Sequence, residues 1–183
     1  MNKITAQKNQ KGISNVQLIV FIVVGGILLL GGISLLRQID KAKVNNDVQE
    51  LTDLKARTVV YGGQRGGSFT GVTTDTLAGL DFFPANRVTG SAGARTVQNQ
   101  WKGTVAAAPA TTITAGDSIE YTYSGVPTSA CKDLAQNLVT VAAVISINGT
   151  AVNANGGALN EGTMITQCES APDNASIAYR MTR

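Results

Sequence analysis

A chain of 183 residues with no histidine and only two cysteines leaves carboxylates and lysines as the sole candidates for metal binding or acid–base work. Its net charge of +3 is local: residues 1–12 hold three of the 15 basic residues (Lys3, Lys8, Lys11) and no acid, so the remainder balances at 12 against 12. That balance argues against a nucleic-acid footprint, which needs a basic surface, and no Ser-His, Cys-His or nucleotide motif is present.

Residues 1–12 read as a short basic leader, of the kind retained on the cytoplasmic side of a membrane. From Gly12 to Leu36 there are 25 residues without a charge. About 20 apolar residues suffice to cross a bilayer core, so Leu18–Leu36 is expected to span one. The run ends Ile33-Ser34-Leu35-Leu36-Arg37-Gln38, with no small-x-small cleavage site, so Gly12 is the better candidate for processing.

The sequence predicts one long helix from Ile13 to Tyr61, roughly 70 Å at ~1.5 Å per residue, too long for a small head to bury alone. Its second half turns amphipathic, with Ile39, Val44, Val48, Leu51, Leu54 and Val59 at near-helical spacing and Asp53–Arg57 as an i,i+4 pair. Gly62-Gly63 is expected to cap it. Gly25-Gly26 and Gly31-Gly32 interrupt the apolar half; close helix packing and local unwinding both explain them.

The remaining residues, about 120, suit one domain that can bury a modest core. Twenty glycines and 5% aromatics favour a loop-rich, β-containing head. Gly62–Gly71 is a glycine-rich loop without the lysine that a phosphate loop needs. Thr73 or Thr74 caps a short helix through Leu80, and Trp101 is expected to pack in core or sheet. Strands are predicted at Thr104–Ala108, Ala110–Ala115 and Ser118–Ser124, the last two around a Gly116-Asp117 turn; Ile119, Tyr121 and Tyr123 alternate with polar residues. A helix begins at Pro127, with Thr128 or Ser129 as N-cap and Cys131, Leu134, Leu138, Val141, Ala142 and Ile145 on its apolar face. Asn148-Gly149 marks a hairpin, and Met164–Cys168 and Ser176–Met181 read as closing strands.

Export would put Cys131 and Cys168 in an oxidising compartment, where an even pair usually joins; two buried thiols are the alternative. The only carboxylates an enzyme reading can offer are Asp117, Glu120 and Glu161, and solvated surface is the simpler account. Asn148-Gly149-Thr150 and Asn174-Ala175-Ser176 match glycosylation sequons by pattern alone.

Taken together, Lys11-Gly12-Ile13, the apolar helix Leu18–Leu36, its amphipathic continuation to Tyr61, and Tyr121-Thr122-Tyr123-Ser124-Gly125-Val126-Pro127 leading to Cys131 and the late Cys168 resemble type IV prepilins, specifically the type IVb or conjugative-pilus subgroup. The resemblance implies an α+β type IV pilin fold: a long N-terminal helix packed on an antiparallel sheet, with a second helix in the C-terminal region. It implies a leader at 1–12, a helix at 13–61 and a periplasmic or extracellular head at 62–183, stapled by Cys131 and Cys168. Prepilin peptidase would cut between Gly12 and Ile13 and methylate Ile13. The precursor would wait in the bacterial inner membrane, and the pilus assembly machinery would polymerise it into an extracellular helical homo-oligomer for adhesion, aggregation or conjugative contact. No enzymatic activity, cofactor or nucleic-acid partner is implied. At the fifth mature position the family usually carries glutamate; here it is Gln17, which hydrogen-bonds without charge. That departure keeps a minor pilin or pseudopilin in view, beside a monomeric membrane-tethered binding domain.

Overall fold

Val44, Leu51 and Leu54 recur at seven- and three-residue spacing, which places them on one stripe of a helix. The computed structural model describes residues 42–153 and 156–183; there, residues 42–64 are helical (α1), and these three side chains are buried. The leader, Gly12, Ile13, Gln17, the glycine pairs at 25–32 and the run Leu18–Leu36 lie outside the described residues. Among the described residues no helix is long and apolar enough to cross a membrane.

Three expectations for α1 change. Val59 is 40% exposed, and buried Thr58 takes its place on the stripe. The Thr58 hydroxyl lies 2.7 Å from the Leu54 carbonyl and 3.0 Å from the Tyr121 hydroxyl, so its burial leaves nothing unpaired. Asp53 and Arg57 form no ion pair. The helix also runs past Gly62-Gly63 and ends in a Schellman motif: the Gly67 N–H donates to the Gly62 carbonyl at 2.7 Å and the Gly66 N–H to that of Gly63 at 3.3 Å, with Gly66 at φ +66°. Gly62 is there for contact. A Cβ on it would stand 2.6 Å from Phe69 Cζ.

Thr73 Oγ1 accepts the Thr76 N–H at 3.2 Å and starts α2, Thr74–Gly79. A 3-10 turn, Ala85–Arg87, leads into β1, Val88–Thr89. Then come β2 (Thr96–Gln98), β3 (Thr104–Ala110), β4 (Ser118–Val126), α3 (Thr128–Leu138), β5 (Val144–Ile147), β6 (Thr150–Asn153), α4 (Glu161–Ser170) and β7 (Ala175–Thr182). The strands form one antiparallel sheet in the order β1-β2-β3-β4-β7-β5-β6.

β3 is one strand to Ala110, and the predicted strand Ala110–Ala115 is instead a loop. Pro109, which cannot donate to a ladder, sits where β3 pairs only with β4, since β2 reaches only Val105 and Thr104. The loop turns on Asp117, whose carboxylate accepts the N–H groups of Thr112, Ile113 and Thr114 at 2.8, 2.7 and 2.8 Å.

The period-two pattern builds the core. Ile119, Tyr121 and Tyr123 of β4 lie opposite Met181, Tyr179 and Ile177 of β7, and all six are buried. Ile145 and Ile147 of β5 extend the same face. Tyr121 and Tyr179 stack at 5.5 Å, and the Phe83 ring meets Tyr121 edge-on at 6.3 Å. The opposite face carries the cross-strand pair Glu120–Arg180 at 2.7 Å and the Thr104–Ser124 hydroxyl contact at 2.8 Å.

Two readings of the C-terminal third are corrected. Met164–Cys168 is helical: Asn160 Oδ1 accepts the Thr163 N–H at 3.0 Å, and Met164 and Cys168, four apart, are the buried pair. A capping residue outside the segment decides its conformation, which a short local run does not reveal. In α3 the helix stops at Leu138, so Val141 and Ala142 follow it and Ile145 belongs to β5. Pro127, not Thr128 or Ser129, is its N-cap.

Candidate functional site

The head grips α1 through charge as well as packing. Asp47 is fully buried although it lies on the apolar stripe, three residues from Val44 and four from Leu51. Arg87, brought in by the 3-10 turn, donates to Asp47 Oδ1 from both terminal nitrogens at 3.1 and 3.0 Å, and to Glu50 Oε1 at 2.7 Å. One guanidinium thus serves two carboxylates. Burial raises both carboxyl pKa values and Arg87 only partly opposes it; Glu50 is pushed up to about 7, with Asp47 and Asp53 adding to the rise. Further along, Lys55 Nζ donates to the Thr182 carbonyl at 2.6 Å, and burial lowers its pKa. The hydroxyls of Tyr121, Tyr123 and Tyr179 are held above the ordinary tyrosine range, chiefly by burial.

A second cluster closes the C-terminal third. Cys131 of α3 and Cys168 of α4 are joined in a disulfide with Cα atoms 5.8 Å apart, and both are buried. Thr128 donates its hydroxyl to the Cys168 carbonyl at 3.2 Å, and Lys132 pairs with Glu169 at 2.6 Å. Asn148, at φ +50° in the β5–β6 turn, donates to the Gln167 carbonyl at 2.7 Å and accepts the Ser176 N–H at 2.9 Å. Its side chain ties the hairpin to α4 and β7. The amide of this sequon asparagine is therefore engaged in structure.

The head's surface carries an apolar groove formed by α1 and the α2 region, about 410 Å³, with Val60 61% and Leu80 48% exposed along it and Phe82 beside them. Beyond α1 and the groove, Ile113 stands 85% exposed on the Asp117 loop. Slight desolvation of Asp117 is outweighed by hydrogen bonds from Thr114, Thr112 and Ile113, which hold its carboxyl down to about 2.

The structure brings Cys131 and Cys168 together. Gly12, Ile13 and Gln17 lie outside the described residues. Of the three carboxylates offered to an enzyme reading, Asp117 is saturated by backbone N–H groups, Glu120 is paired with Arg180, and Glu161 opens α4. No group of carboxylates or cysteines able to hold a metal ion occurs among the described residues. Trp101 sits half-buried against the core in the β2–β3 turn, which Asn99 closes through Oδ1 contacts to the N–H groups of Trp101 and Gly103 at 3.0 and 2.9 Å. Sequence reading missed the Asp47–Arg87–Glu50 cluster. The signal was an acid at a stripe position; its partner, 40 residues away, left none.

A family model described as PilS N terminal matches residues 41–181. A comparison with curated proteins finds no match. Among solved structures, the chain is similar to the crystal structure of a type IV b pilin from Salmonella typhi, at 20% identity and a TM-score of 0.58, over 76% of this chain and 99% of that one. At this identity the likeness carries the fold, and the family match covers the described head up to residue 181. The chain belongs to the PilS N-terminal family and has the fold of a type IV b pilin.

Proposed function

We propose that this chain is a filament subunit made as a precursor. Residues 1–12 are the leader, and prepilin peptidase cuts between Gly12 and Ile13 and methylates the new amine. Leu18–Leu36 then holds the subunit in the bacterial inner membrane with its head in the periplasm. The pilus assembly machinery moves it into an extracellular homo-oligomeric pilus used for adhesion, aggregation or conjugative contact. The observation that carries this reading is the uncharged stretch behind Lys11-Gly12, fused to a pilin head. The same apolar surface is buried first by lipid and then by sister helices, so one segment serves both states. The helix 13–61 and the head 62–183 follow as working divisions, with α1 helical to residue 64.

N-terminal sequencing of exported protein is expected to begin at a modified Ile13. An intact Met1, or a start after residue 36, rules the processing out. Gln17 favours a second reading, a minor pilin or pseudopilin, because an uncharged side chain gives a weaker bond to a neighbour's amine. Shearing cells separates the alternatives. Sedimenting filaments composed mainly of this chain support the major subunit; trace incorporation supports the minor one; retention in membranes supports a monomeric tethered domain.

A further inference from the structure

We propose that residues 85–89 form a proton-operated strap across α1, closed while Asp47 and Glu50 together carry one negative charge and released once they carry two. The strap belongs to a single head and does not depend on polymerisation. Geometry sets the charge count. Both carboxylates share the guanidinium of Arg87, at 3.0 and 2.7 Å. The two terminal nitrogens of Arg87 converge on Asp47 Oδ1, and Asp47 Oδ2 is buried with no hydrogen bond among the described residues. With one proton present the cluster is neutral. Without it a net negative charge stands where Asp47 is 0% and Arg87 10% exposed, and an uncompensated buried charge is strongly disfavoured.

The surroundings supply no spare cation. Beside Glu50, α1 adds Asp53 and Arg57 and the turn after α2 adds Asp81, so Arg57 is outnumbered by acids. Facing Asp47, the sheet contributes the hydroxyls of Tyr123 from β4 and Tyr179 from β7, both held above the ordinary tyrosine range by burial and so neutral. Burial lifts Glu50 to about 7 against the pull of Arg87, with Asp47 and Asp53 adding to the rise, which makes it the group that titrates between pH 5 and 8.

The fold lets this piece move by itself. Before it, Phe83 is buried and meets Tyr121 edge-on at 6.3 Å. After it, the Gly93 and Arg95 N–H groups donate to Asp75 Oδ1 at 3.0 and 2.9 Å. Between these anchors the strap joins the sheet through β1, two residues long, at the sheet's edge and paired with β2 alone. A segment with so few ladder bonds opens at lower cost than a core strand. Arg87 is its fastening to α1, and release uncovers Asp47 and lets both acids ionise in water. The closed state holds a proton that the released state gives up, so release is favoured progressively from the ordinary carboxylate range up to about 7 and levels off above it. Each unit by which Glu50 falls back on release raises the open fraction about tenfold.

The test is hydrogen exchange on the detergent-solubilised full chain, expressed as protection factors so that the pH dependence of intrinsic exchange cancels. The amides of residues 87–89 are expected to lose about tenfold or more in protection between pH 5 and pH 8. At pH 8 they are expected to lie about a hundredfold or more below the β4 amides of Tyr121 and Tyr123, the mark of a local opening rather than unfolding of the head. Glu50→Gln leaves Arg87 with one carboxylate and a neutral cluster, and is expected to hold the loss to about threefold or less. A smaller loss in the unsubstituted chain, a smaller gap from β4, or a larger loss in Glu50→Gln each overturns the strap.

Discussion

Replacing Arg87 by alanine tests how the head holds its long helix. Arg87 is 10% exposed and Asp47 fully buried, with two hydrogen bonds between them and a third to Glu50. Removing the guanidinium strands a buried carboxylate, a change that costs about 3–5 kcal/mol. For a head of this size that corresponds to a melting shift of roughly 10–20 °C. The cost depends on pH. Both acids have raised pKa values, so the folded state holds protons that the unfolded state releases. Their contribution is complete below the ordinary carboxylate range and declines as pH rises toward about 7, where Glu50 titrates. Glu50 is 29% exposed, and allowing for solvent screening its share is on the order of 1 kcal/mol. In Arg87→Ala the unopposed acids take up protons more readily. The variant is therefore expected to be most damaged at pH 8 and to recover at least half of the loss at pH 5. Asp47→Asn added to Arg87→Ala is expected to recover stability at pH 8, since a buried amide replaces a buried charge. Denaturant unfolding of the detergent-solubilised chain at both pH values measures this. A loss below ~1 kcal/mol at pH 8, or an equal loss at pH 5 and 8, refutes the account of the cluster.

Two further predictions separate local effects. Gly62→Ala pushes a methyl to 2.6 Å from Phe69 Cζ and is expected to cost about 1–3 kcal/mol, whereas Gly63→Ala meets nothing within 4 Å and gains up to ~1 kcal/mol of helix propensity; thermal melts of the two should move in opposite directions. Removing the disulfide by Cys131→Ser with Cys168→Ser releases a loop with a sequence separation of 37 and is expected to cost about 4 kcal/mol in the chain-entropy account, read as a lower denaturant midpoint; an unchanged midpoint would count against it.

An aspartate at a stripe position is ordinarily a flaw in an amphipathic helix. Here it fixes which face of α1 meets the head, because only one rotation delivers Asp47 to Arg87. Leucines alone specify the face less sharply, since apolar contact is non-directional. The pair at Lys55 and Thr182 adds a second directional tie, joining α1 to the last strand of the sheet.

Periodicity by itself determined most of the architecture: the amphipathic continuation of α1, the alternation of Ile119, Tyr121 and Tyr123, the Thr73 cap, and the Asn148-Gly149 hairpin. These features are written over a few residues, at the spacing of a helix turn or a pleat. The pilin family was legible from the junction at Lys11-Gly12-Ile13 and the head together. Tertiary structure alone decided the rest. Met164–Cys168 became a helix because Asn160 caps it and the disulfide draws Cys168 against α3. Thr58 replaced Val59 in the core because Tyr121, 63 positions later, offers its hydroxyl. Asp47 could be buried only because Arg87 arrives from 40 residues away. Partners brought together by the fold leave no local period, so their chemistry becomes visible only once the chain is folded.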